Sequence, residues 1–389
     1  MSSDRAQVDA VNPEAGGTDD DEEMPRIQIS RRSALVTLLF VASVLAFLIV
    51  VLPELGGVKD TWNRLDEGDP WWIAAALLFQ ILSFGSYVLI FQGIHVPPGS
   101  PITYRESYLI TMAGLAATRL FAAGGAGGVA LTAWALRRSG MPRREVAERM
   151  IAFLVLIYGV YMAAMLVCGI GLRVGLFPGE SPFALTVIPA IFAGVAIAVF
   201  LAIAFVPGDL ERRLGRMNPA HPGLLRWVKR LAAGPASLSG GVRFAIEKAR
   251  HPDAAMIGAI TWWAFNILVL WAAFKAFGDA PPVAVLVMGF FVGMLGNLLP
   301  LPGGVGGVDA GMVGTFVAFG VPYGLALIAV LTYRLLAFWL PTIPGAIAYL
   351  QLRHTVAGWR QDPARARGEL SGRGTIQSEV TPRTHVGSE

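Results

Sequence analysis

The sequence is poor in charged residues, and a single cysteine excludes the disulfide framework of small secreted proteins. Asp, Glu, Lys and Arg make up only 15% of the 389 residues, and hydrophobic residues make up 54%. Soluble domains contain about a quarter charged residues. Cys168 has no second cysteine to pair with, so no disulfide can form within the chain. The shortage of charge therefore excludes an ordinary soluble domain and indicates an integral membrane protein.

Motifs of the common catalytic chemistries are also absent. The sequence contains no P-loop, no nucleophile elbow, no HExxH and no paired cysteine motif. The five histidines fall in predicted loops and in the C-terminal tail without metal-ligand spacing: His95, His221, His251, His354 and His385. We therefore predict no enzyme activity, no metal and no other cofactor. Nucleic-acid binding is not indicated by the formal net charge of +4, because the basic residues lie in loops between apolar runs.

Long apolar runs are the main feature that the sequence does have. Six of them are long enough to cross a hydrocarbon core of ~30 Å as helices: 33–52, 71–94, 150–172, 182–206, 254–278 and 323–352. Polar residues 1–32 and 353–389 flank these runs, and we predict an acidic and a basic disordered tail. The predicted transmembrane domain is therefore 33–352.

The distribution of positive charge predicts the orientation. Basic residues are concentrated around 137–149, in the loop 207–253 and in the C-terminal tail, whereas the loop 53–70 is acidic. The positive-inside rule then places both termini in the cytoplasm. High Ala, Gly and Arg content indicates a bacterial genome, hence the bacterial cell (inner) membrane. The loop 207–253 contains basic amphipathic segments that either contact the anionic inner leaflet or are simply solvated.

Two further apolar regions, 107–136 and 283–319, are each interrupted by a glycine cluster. The clusters are Gly124, Gly125, Gly127 and Gly128 in the first region, and Pro302, Gly303, Gly304, Gly306 and Gly307 in the second. The apolar piece after each cluster has only about a dozen residues, too short to cross alone. Irregular backbone at membrane depth survives only within protein or beside a water-filled cavity. We predict two re-entrant hairpins with these tips; ordinary spans packed through small residues are the alternative.

The two glycine clusters also reveal an internal repeat. Gly303 follows Gly124 by 179 residues, and the same offset carries 71–94 and 150–172 onto the predicted spans near 250–273 and 329–351. The halves, 33–172 and 182–352, each read as span, span, hairpin, span, and they have opposite orientation. We predict an all-α integral membrane protein: an inverted-repeat bundle of about six full spans plus two Gly-rich re-entrant hairpins. Secondary transporters are typically built this way.

Three ionisable residues within the apolar regions are the candidate site, because a charge inside a bilayer costs at least ~2.5 kcal/mol. Arg119 precedes the first glycine tip, Asp309 follows the second, and Arg334 lies in the last span. We predict that the arginines bind an anionic head group and that Asp309 pairs with an arginine or exchanges a proton. A purely structural ion pair between Asp309 and one arginine is the alternative.

Three other polar residues in apolar runs indicate packing rather than chemistry. Lys275 lies near a span end, where a long side chain can reach the interface. Asn266 and Asn297 lie inside apolar runs, where asparagine more often forms hydrogen bonds between helices than binds a ligand.

The segment 302–309, which reads PGGVGGVD, together with Tyr333, Arg334 and Pro341, resembles the flippase-like transmembrane domain of bacterial lysylphosphatidylglycerol synthases. That domain also occurs alone, and the resemblance covers 33–352. The family motif usually ends in glutamate, where this chain has the shorter Asp309. A charged residue often follows the first glycines in the family, where this chain has Gly128 and Val129. Only the residues 353–389 follow, so we do not expect synthase activity.

The resemblance implies lipid translocation between leaflets. Our first hypothesis is therefore a lipid flippase or transporter that moves an amphiphile with a charged head group by alternating access. The alternatives are a non-catalytic membrane partner in a cell-envelope complex and an intramembrane lipid-modifying enzyme. The expected partners are membrane lipids and not nucleic acid, and the sequence does not predict an oligomeric state.

Overall fold

The computed structural model describes residues 68–100, 102–120, 126–205, 238–251, 253–298, 304 and 306–359. Within these residues the regular structure is helical and contains no strand. Among the described residues, five helices are long and apolar enough to cross a membrane. The prediction of an all-α integral membrane protein is thereby confirmed. The predicted span 33–52, the tail 1–32 and most of the loop 207–253 lie outside the described residues.

The described helices are named here in chain order. They are α1 (Pro70–His95), α2 (Tyr104–Leu120), α3 (Ala126–Arg138), α4 (Arg143–Arg173), α5 (Phe183–Ala204), α6 (238–250), α7 (Ala254–Phe277), α8 (Val283–Met294), α9 (Gly307–Ala318), α10 (Tyr323–Arg334) and α11 (Thr342–Trp359). A 3-10 turn, Leu295–Leu298, extends α8, and a π turn, Leu335–Trp339, joins α10 to α11. Helices α1, α4, α5, α7 and the stretch Tyr323–Leu352 coincide with the predicted spans.

Both glycine-interrupted regions fold into hairpins of short helices. Helices α2, α3, α8 and α9 contain 17, 13, 12 and 12 residues. At 1.5 Å per residue their lengths are about 18–26 Å, less than the ~30 Å of a hydrocarbon core. In the first hairpin, a Cβ added to Gly128 would lie 2.5 Å from the carbonyl oxygen of Gly114. In the second, a Cβ on Gly293 would lie 2.7 Å from the Cα of Met312. Glycine thus lets the two helices of each hairpin touch through their backbones.

The inverted repeat is visible in the packing of α1 against α7, which are equivalent under the 179-residue offset. Near the start of α1, the N–H of Asp69 donates to the carbonyl oxygen of Ala276 at 2.9 Å. Near its end, a Cβ on Gly93 would lie 2.7 Å from the backbone nitrogen of Ala255. The two helices are therefore antiparallel along their whole length. Antiparallel contact between equivalent spans is the geometry that opposite insertion of two halves requires.

Each hairpin packs against the last span of the other half. A Cβ on Gly345 of α11 would lie 2.8 Å from the carbonyl oxygen of Met112 on α2. In the equivalent contact, the hydroxyl of Tyr161 on α4 donates to the carbonyl oxygen of Phe291 on α8. The second hairpin also contacts α10 through α9. The stretch from α10 to α11 therefore touches both hairpins: α10 contacts the second hairpin, and α11 contacts the first.

The structure differs from the sequence interpretation at three places. Residues 238–250, within the predicted loop, form α6, whose Val242 and Ala245 are buried. The last helix continues to Trp359, so the residues that directly follow position 352 are helical rather than part of a tail. His95 is not in a loop but is the last residue of α1, and it is 1% exposed. Charge and polarity had marked all three segments as loops, although each can extend a helix or present an apolar face.

Candidate functional site

The centre of the site is an ion pair between the second hairpin and the last span. Nε of Arg334 on α10 lies 2.7 Å from Oδ1 of Asp309 on α9. The Arg334 side chain is 9% exposed and that of Asp309 is 23% exposed. Two of the three predicted site residues are therefore in direct contact. The pair is mostly withdrawn from bulk solvent. In such a buried position an unpaired charge is costly.

Asp309 is held by the local geometry of the glycine tip. It is the third residue of α9, and its Oδ2 accepts a hydrogen bond of 2.7 Å from the backbone N–H of Gly306. Gly306 has φ +84° and Gly304 has φ +66°, conformations that glycine adopts at little cost. The positive end of the α9 dipole further favours a carboxylate at this position. One carboxylate thus links the hairpin tip through Oδ2 to the last span through Oδ1.

Arg334 lies where the last span changes its helical winding. The π turn begins at the next residue, and the N–H of Leu340 donates to the carbonyl oxygen of Leu335 at 2.9 Å. Pro341 has no N–H and cannot continue the ordinary helical ladder. The guanidinium of Arg334 lies 4.3 Å from the ring centroid of Phe338, on the π turn itself. Such turns are frequent at functional sites, and here the turn provides an aromatic surface for the arginine.

A hydrogen-bonded network adjoins the ion pair on the side of the antiparallel helices. Nδ2 of Asn266 on α7 donates to Oγ of Ser83 on α1 at 2.7 Å, and the hydroxyl of Tyr333 donates to Oδ1 of Asn266 at 3.5 Å. Tyr333 directly precedes Arg334 in the chain. The network connects both halves of the repeat with α10. Asn266 has the interhelical hydrogen bonds that the sequence interpretation favoured over a ligand role.

The remaining predicted positions divide between described and undescribed residues. Arg119 is in the last turn of α2, but its side chain lies outside the described residues, so its approach to Asp309 stays a prediction. Gly127 and Gly128 are in α3, and Gly304, Gly306 and Gly307 are described at the second tip. Gly124, Gly125, Pro302 and Gly303 are not among the described residues.

The charged pair breaks the symmetry of the repeat. Subtracting the offset of 179 from Asp309 and Arg334 gives Ala130 and Val155, neither of which can carry charge. The second half alone therefore supplies this ion pair. Lys275, by contrast, pairs with the fully exposed Asp279 at 3.2 Å, as expected of a lysine at a span end.

Sequence reasoning missed a second polar group at the end of α1. Arg149 of α4 donates to the carbonyl oxygen of Ile94 and forms an ion pair of 2.8 Å with Glu145. The buried His95 is the next residue after Ile94. Extending the predicted span 71–94 by one residue would have placed His95 on the helix face that carries Phe91, since residues i and i+4 share a helix face.

Comparison with known proteins supports the family resemblance. The family described as the lysylphosphatidylglycerol synthase TM region matches residues 34–345. Two UPF0104 membrane proteins of Methanothermobacter thermautotrophicus strain Delta H are 24% and 22% identical over 348 and 339 residues. These alignments cover 83% and 82% of this chain and 94% and 95% of the relatives. A third alignment, to a UPF0104 membrane protein of the same organism, is 32% identical over 133 residues, 34% of this chain and 40% of the relative.

The matched residues 34–345 include both hairpins, the antiparallel helices α1 and α7, and the Asp309–Arg334 ion pair. The relatives that align with nearly their whole length are themselves named only as membrane proteins. The chain belongs to the family of the lysylphosphatidylglycerol synthase transmembrane region.

Proposed function

We propose that the protein moves an amphiphilic lipid with a charged head group between the two leaflets by alternating access at the Asp309–Arg334 pair. The observation that carries this proposal is the ion pair of 2.7 Å between the second hairpin tip and the last span. A paired carboxylate and guanidinium hold each other while the site is empty. A charged head group can replace one partner, because each group can form an equally strong contact with the ligand.

Alternating access is supported by the inverted repeat. Two halves of equivalent structure, in contact along antiparallel α1 and α7, can exchange conformations so that a central site opens to either side. Because Asp309 bridges Gly306 and Arg334, release of the arginine frees the hairpin tip from α10. Binding of a head group and movement of the second hairpin are thereby coupled. Exchange of a proton at Asp309 is one way to drive the cycle, and Arg119 would add a further cationic contact.

The decisive test is a charge exchange within the pair. Purified protein in liposomes is assayed for leaflet exchange of fluorescent phospholipids with anionic, zwitterionic and cationic head groups. We expect Asp309→Asn and Arg334→Gln to abolish exchange. The double variant Asp309→Arg/Arg334→Asp keeps an ion pair, so we expect it to fold yet remain inactive. Lys275→Gln, at a solvent-exposed ion pair, is the matched control and should retain activity.

Two results would contradict the proposal. Wild-type exchange in both single variants would show that the pair does not handle the lipid. Full recovery of lipid exchange in the double variant would show that the pair is needed only as a structural contact, because the positions of the two charges would then not matter.

We also propose the bacterial cell membrane with both termini in the cytoplasm. The distribution of basic residues supports this orientation, whereas the bacterial origin rests on composition alone, because the named relatives are archaeal. In this orientation α6 lies at the cytoplasmic face, and its exposed Arg250 supports contact of the 207–253 segment with an anionic leaflet. Labelling of cysteines introduced at position 2 and position 248 in intact cells tests the orientation, and outside labelling of either position would exclude it.

A further inference from the structure

A cavity of about 270 Å³ lies between the first hairpin and the spans α1 and α4. Neither Asp309 nor Arg334 lines it. Its wall is largely apolar, and includes Phe153 and Met150 of α4. Val129 and Leu154, which also line it, are 48% and 42% exposed on the outer surface of the bundle. In a membrane that surface faces lipid, so the cavity is open to a ligand that arrives sideways from the bilayer.

His95 contributes to this cavity a polar ring that has no well-formed hydrogen bond among the described residues. Its ring is 1% exposed and lies against the rings of Phe91 and Phe153, with centroids 4.6 and 5.1 Å away. Neither ring nitrogen makes a hydrogen bond of good geometry within the described part of the chain, and its one backbone partner is a weak contact with Phe91 one turn back. Arg149 acts on the ring electrostatically. Buried polar groups in native proteins are normally hydrogen-bonded, because leaving one unpaired is costly. A buried imidazole that lines a cavity therefore indicates a partner that enters from the cavity.

The other polar atoms of the wall define the chemistry of that partner. The hydroxyls of Thr111 and Thr118 donate to the carbonyl oxygens of Ser107 and Gly114 at 2.8 and 2.9 Å. Their protons are thus used within α2, and their oxygens remain available only as acceptors. Tyr87 and Thr132 add two further hydroxyls, and the described lining contains no lysine or arginine. A described wall of hydroxyls and one imidazole, without a cation, suits a neutral hydroxyl, which both donates and accepts, and not a phosphate, which binds best to cationic donors.

We propose that this cavity binds the free hydroxyl of an uncharged glycerolipid, with diacylglycerol as the simplest representative. His95 is the hydrogen-bond partner of the hydroxyl, and the apolar wall contacts the first part of an acyl chain. His95 ends α1, which puts the hydroxyl near the membrane interface, where that of a glycerolipid resides. This is a second lipid site, independent of the proposed transport site at Asp309.

The test is binding by the full-length protein in detergent, measured by native mass spectrometry. The probes are 1,2-dioleoylglycerol and its 3-O-acetyl derivative, which lacks only the hydroxyl. We expect the wild type to bind the alcohol roughly fivefold more tightly than the acetate, the effect of about one hydrogen bond. His95→Phe keeps the ring packing and should remove this preference, while Leu115→Trp fills the cavity and should abolish binding of both probes. Leu82→Phe, on the lipid-facing side of α1, is the control and should change neither.

Equal binding of the two probes by the wild type, or an unchanged preference in His95→Phe, would overturn the proposal. Tighter binding of dioleoylphosphatidylglycerol than of the alcohol, lost in His95→Phe, would overturn it in favour of an anion site. If His95→Phe does not fold, Leu115→Trp tests the proposal instead. Retained binding of the alcohol in that variant would exclude the cavity as the binding site. The binding experiment does not measure leaflet exchange, so failure of the transport proposal would leave its result unaffected.

Discussion

The Asp309–Arg334 pair makes a quantitative prediction about stability. The Arg334 side chain is 9% exposed, so removing the carboxylate of Asp309 takes its closest ionic contact from an almost fully buried guanidinium. Breaking a buried pair in this way costs about 3–5 kcal/mol, whereas replacing both partners by groups of similar shape is often nearly neutral. Asp309 is 23% exposed, which lets water compensate in part and favours the lower end of that range. We therefore expect Asp309→Asn to lower the free energy of unfolding by about 3 kcal/mol.

A double-mutant cycle measures whether this cost arises from the pair. Wild type, Asp309→Asn, Arg334→Met and the double variant are unfolded by titration with denaturing detergent in mixed micelles, followed by tryptophan fluorescence. We expect the double variant to recover at least half of the loss seen in Asp309→Asn, because the buried guanidinium is removed together with the carboxylate. Additive losses in the double variant would refute the reasoning, since they would mean that the two residues are stabilised separately.

Two further predictions concern a helix contact and a helix cap. Gly128→Ala should destabilise the protein by about 1–3 kcal/mol, because its new Cβ would meet the Gly114 backbone at 2.5 Å. Gly159→Ala, where nothing lies within 4 Å of the added Cβ, should be neutral or stabilising. Equal losses of stability in the two variants, measured by the same detergent titration, would contradict the close helix contact. At the start of α7, burial raises the pKa of Asp253, but hydrogen bonds from Lys248 and from two backbone N–H groups outweigh it and hold that pKa below its ordinary value. This stabilisation is complete above an unfolded-state pKa of about 4 and is lost as the pH falls through the folded-state pKa. Asp253→Asn should therefore reduce the loss of stability that the wild type shows on acidification. An unchanged loss at acid pH would exclude the cap as its cause.

The sequence predicted most of the span positions because hydropathy depends only on length and composition. The bounds of α1 and α7 lie within one residue of the predicted 71–94 and 254–278. The repeat was also accessible, because glycine clusters that permit backbone contact must recur in both hairpins. What hydropathy could not give was the polar extension of a span, as at the start of α4, where Arg143 begins the helix in a charged segment.

The site was predictable as a set of residues but not as a geometry. Intramembrane charge identified Asp309 and Arg334, since each needs a reason to be buried. Nothing in the sequence decided which arginine would pair with Asp309, because that depends on the approach of α9 to α10. His95 was missed because a histidine next to a proline-containing loop is expected to be exposed. The packing of α4 on α1 buries it, and that packing is not visible in the sequence.

The described parts of the two halves share one architecture but differ in their polar side chains. The second half carries the charged pair, with Asp309 on the hairpin and Arg334 on α10, and the equivalent positions in the first half are Ala130 and Val155. The first hairpin instead forms a wall of the cavity with His95, for which the second half has Phe274 at the equivalent position. Symmetry of the backbone is what alternating access needs, because the two end states must be of similar free energy. In the proposed cycle, the asymmetry of the side chains lets a charged head group bind the two end states with different strength, because Asp309 and Arg334 have no charged counterparts at the equivalent positions of the first half.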